Sequence, residues 1–595
     1  MHRSSPGHRR AARNRRASVA AAHLAVALFL AGPATALAAA AAPTADEAAQ
    51  AYVQGRLAVA SSDLDVAAQR FRDALKAGAD EQLQRRAMDV AILSGDMKSA
   101  AALAGRIDTS AEAGGSETIG NSLVVLTRVA SAAAARDWRG YEAARATFTE
   151  PAQTATTTPL ISTLLQAYGL SAVGQHEKAL ALATPEAAQG MARSYLTEHR
   201  AHLLVLARRW PEAADAYAQI VAAEGANVSR LRMSGVAAAL EAGKSNPDYR
   251  NKAIVLLGSG PDRDPMLRDA RDRFSADQRM DGKKLGGLIT RPADGLALLF
   301  LRISTDLARE RATGPGLGFA RLATLLAPDM PETWLVTADT LARSDQPELA
   351  LAALRNVPAA APWGDLALSR RTAVLLSQDK YAEARALLQA AASRPDAALE
   401  NWTRLADAQR RAGDSKAAAQ SYGRAIAMLP ADAGPEQAQL WFMRGTALES
   451  SGDWAAAEAD LRRAVELAPQ NAIFLNYLGY SLLDRRLKLA EARALIVRAF
   501  EAAPENGSII DSMGWAEYVA GNYAEAVRLL ERAHAAEPAD PTVADHLGDA
   551  LWKAGRRIEA RHAWTSAAAL QPEPRLAPII ARKLDFGLEI ALAAK

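Results

Sequence analysis

The residues whose types and spacing could do chemistry are few. Glu198-His199-Arg200-Ala201-His202 sets two histidines three apart, which puts both on one face of a helix. A zinc site would need a third ligand, and the metalloprotease pattern His-Glu-x-x-His is not met here. The pair therefore reads as ordinary surface or inter-helix residues, and so do His534, His546 and His562, which are scattered over two later stretches. Ala242-Gly243-Lys244-Ser245 ends like a phosphate-binding loop, but Ala238 stands where the first glycine belongs and no strand precedes it. The chain has no cysteine, which removes disulfides, thiolate metal sites and cysteine nucleophiles together. No catalytic, cofactor-binding or metal-ligating residue is assigned, and the expectation is a protein that is not an enzyme.

The elements that would have to position any site are helices. Half of the 595 residues are apolar, only 5% are aromatic, alanine dominates, and no stretch alternates with period two between turn residues. The net charge of +3 has a local source: Arg3, Arg9, Arg10, Arg13, Arg15 and Arg16 all precede the first acidic residue, Asp46, and without them the body carries −3. A mildly acidic body lacks the electrostatic footprint of a nucleic-acid binder, so no nucleic-acid partner is expected.

The N-terminus has an Arg-rich lead, an apolar stretch over 20–31 with Val26, Leu28, Phe29 and Leu30, and the small-residue sequence Ala36-Leu37-Ala38. That is the pattern of a secretory signal peptide over 1–38, shorter than the ~20 apolar residues a spanning helix needs. With no cysteine for lipid attachment, the expectation is a periplasmic protein without a stable membrane span after cleavage; the alternative is a segment retained as a membrane anchor.

From residue 399 onward the sequence repeats every 34 residues: Gly514 and Gly548, Gly521 and Gly555, Ala526 and Ala560, Ala533 and Ala567, Pro538 and Pro572. The template also fits Ala406, Ala418 and Pro430, then Gly445, Ala457 and Pro469, and, with one extra turn residue before Ala492, the unit containing Gly479. This resembles the tetratricopeptide repeat, and the fold class that follows is all-α, a tetratricopeptide-repeat superhelical solenoid of stacked helix-turn-helix units. Ala406, Gly445, Ala457, Gly479, Gly514, Ala526, Ala533, Gly548, Ala560 and Ala567 are the small residues expected where helices pack, and the prolines end second helices.

The organisation read from these signals is a signal segment 1–38, an N-terminal helical repeat block 39–257, and an irregular Asp/Gly/Pro-rich junction 258–292. Degenerate repeats follow over 293–398, well-defined repeats over 399–572, and a C-terminal capping helix within 573–595.

In such an array the first helices line an inner wall. Its slots in the last three repeats hold Asn476, Tyr480 and Leu483, then Asp511, Trp515 and Tyr518, then Asp545, Asp549 and Trp552, each set on one helix face. Large aromatics there either receive a protein segment or fill space between neighbouring first helices. The interleaved aspartates point to a partner of basic or amide-rich character.

The closing stretch, with Leu478-Gly479-Tyr480-Ser481-Leu482-Leu483-Asp484-Arg485, Asp511-Ser512-Met513-Gly514-Trp515 and His546-Leu547-Gly548-Asp549-Ala550-Leu551-Trp552, resembles bacterial envelope tetratricopeptide proteins. These include lipoprotein adaptors of carboxy-terminal processing proteases. The resemblance covers about 440–590 and implies a scaffold or adaptor that holds partner proteins in its concave groove and links a protease to envelope clients. It brings no catalytic residues. The alternative is a structural component of an export or envelope-assembly complex.

Overall fold

Alanine-rich segments become helices where a side chain can start them. Asp63, Asp96, Asp414, Asp453, Asn471 and Asp540 each accept a hydrogen bond from a backbone N–H of the first turn. The computed structural model describes residues 44–593 apart from 62, 77, 79, 110–115, 149–158, 225–228, 259–263 and 396. The signal segment 1–38 lies outside these residues. Among the described residues every regular element is helical and there is no strand.

Helices pair into antiparallel hairpins through a turn with a left-handed residue. Gly95, Gly174, Gly413, Gly452, Gly521 and Gly555 hold that position with φ between 80° and 92°. Arg136, Arg208, Arg311, Asp345, Asp379 and Arg486 hold it elsewhere with φ between 55° and 62°. Glycine pays no Cβ penalty there and the other residues do.

The described chain divides into two compact units, one ending at Asp108 and one beginning at Thr109. In the first unit, helices Ala45–Ala60, Leu64–Leu75, Glu81–Ser94 and Met97–Ala104 form two hairpins. Phe71 is buried under Gly55, where a Cβ would stand 3.2 Å from its ring.

In the second unit the hairpins of the closing part begin with helices Leu399–Arg411, Ala438–Ser450, Ala472–Asp484, Gly507–Val519 and Pro541–Lys553. Each packs on its own second helix and on the next hairpin, so apolar cores such as Phe442, Phe474, Leu478 and Ile496 run across hairpin boundaries.

The segment 258–292 is not irregular throughout. Helices Pro265–Ala276 and Gly282–Leu285 lie in it, and Gly282 sits so close to the Ser229–Ala242 helix that a Cβ would be 2.0 Å from the Ala237 carbonyl oxygen. The next helix, Pro292–Arg309, packs back onto Leu160–Ala172 and Gly190–Leu206 as well as onto its hairpin partner Thr313–Leu326. Gly295 makes room for this, since a Cβ there would lie 2.2 Å from the Tyr168 ring. Arg302 pairs with Glu198, and Tyr195 donates to Asp306 at 2.7 Å.

Candidate protein-binding face

Small residues set the spacing of the hairpins that carry the face. Ala406, Ala457, Ala526, Ala533, Ala560 and Ala567 are fully buried. At Gly445, Gly479, Gly514 and Gly548 a Cβ would stand 2.9 Å from Leu461, 2.8 Å from Ile496, 2.7 Å from Leu530 and 2.4 Å from Trp564. Each of these glycines thus lies close against its own second helix, and at Gly445 and Gly479 the Ala457 and Ala492 carbonyl oxygens are also within 3.3 Å and 3.0 Å of where a Cβ would stand.

Trp515 stacks on Tyr518 at 4.5 Å and on His546 at 4.1 Å between ring centroids, and Tyr480 lies 6.2 Å from the same imidazole. Four rings from three successive first helices thereby form one strip. Tyr480, Trp515 and Tyr518 are half-buried, as is Asn476, whose Oδ1 is buried with no hydrogen-bond partner.

Leu483 and the three aspartates expected on the face are buried instead. Leu483 is only 2% exposed and belongs to the apolar core between hairpins. Asp511, Asp545 and Asp549 are buried and already have cations within the chain. Asp511 holds His546 Nδ1 with both oxygens at 3.0 Å, while Lys583 Nζ donates to Asp545 at 2.7 Å and to Asp549 at 2.9 Å. Trp564 Nε1 also donates to Asp549 at 2.9 Å. Trp552 donates to Glu589 at 2.8 Å, and Gly587 approaches its ring. Sequence reasoning missed Lys583, which reads as a solvated residue of the final cap; the helix Ala577–Phe586 instead turns it inward, 2% exposed, onto the last hairpin. The signal available was its place one repeat beyond Asp549, where the next first helix would stand.

These partners set the charges. Burial pulls the His546 imidazole down, but the charge and hydrogen bond of Asp511, with Asp545 and Asp549 behind it, raise it above the ordinary histidine value. Burial pushes the Asp549 carboxyl up, against the pull of Lys583, because two carboxylates share one ammonium.

The histidine pair noted in the sequence is buried between helices. Tyr168 OH meets His199 Nδ1 at 2.7 Å, and Tyr217 OH meets His202 Nδ1 at 2.5 Å. Lys244 of the loop-like sequence pairs with Glu241 at 2.8 Å. Among the described residues no group of three or more His, Asp or Glu side chains is placed to hold a metal ion, and no helix is long and apolar enough to cross a membrane.

The geometry defines the class of protein: an all-α solenoid of stacked, tetratricopeptide-like helix-turn-helix repeats. Residues 403–472, 442–507 and 512–577 match the family model described as tetratricopeptide repeat. The chain is 36% identical over 156 residues to the TPR repeat-containing protein PA4667 of Pseudomonas aeruginosa, and the match spans 26% of this chain and 26% of that relative's length. Among solved structures, the APC/C hetero-tetramer Cut9-Hcn1 is 15% identical over 91% of this chain and 96% of that one, with a TM-score of 0.36. MamA from Desulfovibrio magneticus RS-1 is 17% identical over 29% of this chain and 94% of that one, with a TM-score of 0.26.

Proposed function

We propose that this chain is a non-catalytic scaffold that holds a protein partner, as an extended segment or a helix, on the inner side of its closing repeats. The observation that carries the reading is the half-exposed aromatic strip Tyr480, Trp515 and Tyr518. Rigid aromatic side chains held in place before binding lose little freedom when a partner covers them. The buried aspartates support the strip from behind and do not meet the partner. The partner's requirement therefore shifts from basic charge toward side chains that lie flat on rings.

The finer reading is a periplasmic adaptor between an envelope protease and its clients. It rests on the resemblance over 440–590 and on the signal pattern over 1–38. Immobilised full-length chain, challenged with envelope extract, should retain proteins that a Tyr480→Ala, Tyr518→Ala double variant loses and an Ile558→Asp variant keeps. Ile558 is 76% exposed and serves as a surface control away from the strip. Retention unchanged by the double variant, with helical content intact, removes the strip from the account. A carboxy-terminal processing protease in the retained set supports the adaptor; its absence leaves a scaffold of other partners. Alkaline phosphatase fused after residue 60 and inactive in cells would remove the periplasmic assignment.

A further inference from the structure

A cleft of about 410 Å3 opens between the helices Pro247–Gly258 and Pro265–Ala276, on a hairpin that contributes nothing to the aromatic strip. Arg250, Ile254 and Leu257 come from one helix at i, i+4 and i+7, and Arg271, Phe274 and Ser275 from the other at i, i+3 and i+4. Each wall is thus a single helix face. The volume falls within the roughly 300–1,000 Å3 of small-molecule sites.

Among the described residues, the lining has two guanidinium groups and no carboxylate. Arg271 Nε donates to the Leu257 carbonyl at 3.0 Å, which fixes one guanidinium at the end of the first helix. Arg250 makes no ion pair with any described residue. Its guanidinium lies 5.3 Å from the centre of the Phe274 ring, and its Nη2 is buried with no hydrogen-bond partner. An unpaired buried donor on a cation is costly, and an oxyanion offers the guanidinium two acceptors in the geometry of its fork. Beside it the wall is apolar: Ile254 is 50% exposed and Phe274 half-buried, so the cleft rewards an apolar body as well as a charged head.

We propose that this cleft binds a small amphiphile with an oxyanion head, carboxylate or phosphate, on an apolar chain, the head on Arg250 and the chain along Ile254 and Phe274. The site is independent of the protein-binding reading. Calorimetric titration of the full-length chain with octanoate, octyl phosphate, octylamine and octanol tests it. One saturable site is expected for at least one of the two anions, with the amine and the alcohol at least tenfold weaker; the tighter anion identifies the head. Arg250→Gln should weaken that anion about tenfold or more. Ile254→Asp, at a position already half exposed, should do the same by placing a carboxylate in the cleft, and it decides the matter if Arg250→Gln fails to fold. Absence of saturable binding by both anions overturns the proposal. So does octanol binding as tightly as they do, or an Ile254→Asp chain that folds and binds like the original.

Discussion

His546 sits at the meeting point of the aromatic strip and the buried charges. Its raised pKa means that the protonated imidazole stabilises the fold fully below the ordinary value of 6.5, and that this contribution is lost as pH rises through the raised value. Its imidazole resonances should titrate above 6.5 by NMR, and in Asp511→Asn the midpoint should fall. The cluster around Glu198 works in the opposite sense. Burial raises the Glu198 carboxyl, yet His202, His199 and Arg302 together lower it from 4.5 to about 2, while burial lowers His199 from 6.5 to about 3. The folded chain therefore refuses protons that the unfolded chain accepts below pH 6.5. Urea midpoints should fall as pH drops from 6.5 to 3, more steeply than in His199→Phe. None of this was legible in the sequence. Aspartates in inner-wall slots look the same whether a partner or the neighbouring helix supplies the cation, and only placement tells Asp545 from a solvated residue.

At the scale of the element, the hairpin turn explains why repeats are plain after 399 and faint before. Spacing of glycine, alanine and proline was readable where Gly413, Gly452, Gly521 and Gly555 take the left-handed turn position. Between 116 and 392 glycine keeps that position at Gly174, while Arg136, Arg208, Arg311, Asp345 and Asp379 carry the same backbone turn elsewhere, so the hairpin persists where most of its sequence mark is gone. Arg208→Gly should raise stability by about 1 kcal/mol in thermal melts, since it removes a Cβ from a left-handed position. Gly548→Ala should lower it by about 1–3 kcal/mol, because Trp564 must move from a space already filled. An unchanged melt in the alanine variant would mean that the last hairpin can open its two helices without loss.

Across the whole second unit, two kinds of packing coexist. In the closing hairpins each helix leans on chain neighbours, an arrangement that spacing alone could foretell. Helix Pro292–Arg309 is tied to partners more than a hundred residues earlier, through Arg302 with Glu198 and Tyr195 with Asp306, and no periodicity announces such a pairing. Lys583→Met should leave Asp545 and Asp549 buried without their cation. Hydrogen exchange should then quicken over 541–593 and stay slow over 160–206, because damage in a repeat array spreads mainly to the next hairpin. Equal quickening in both regions would contradict a chain of local units.

The backward docking of Pro292–Arg309 also has a mechanical meaning. Under tension applied at 160 and 593, the closing hairpins should peel away one after another in small, similar steps, each a local event. The stretch from 160 to 309 is closed on itself like a clasp, and its release should appear as one larger extension at higher force.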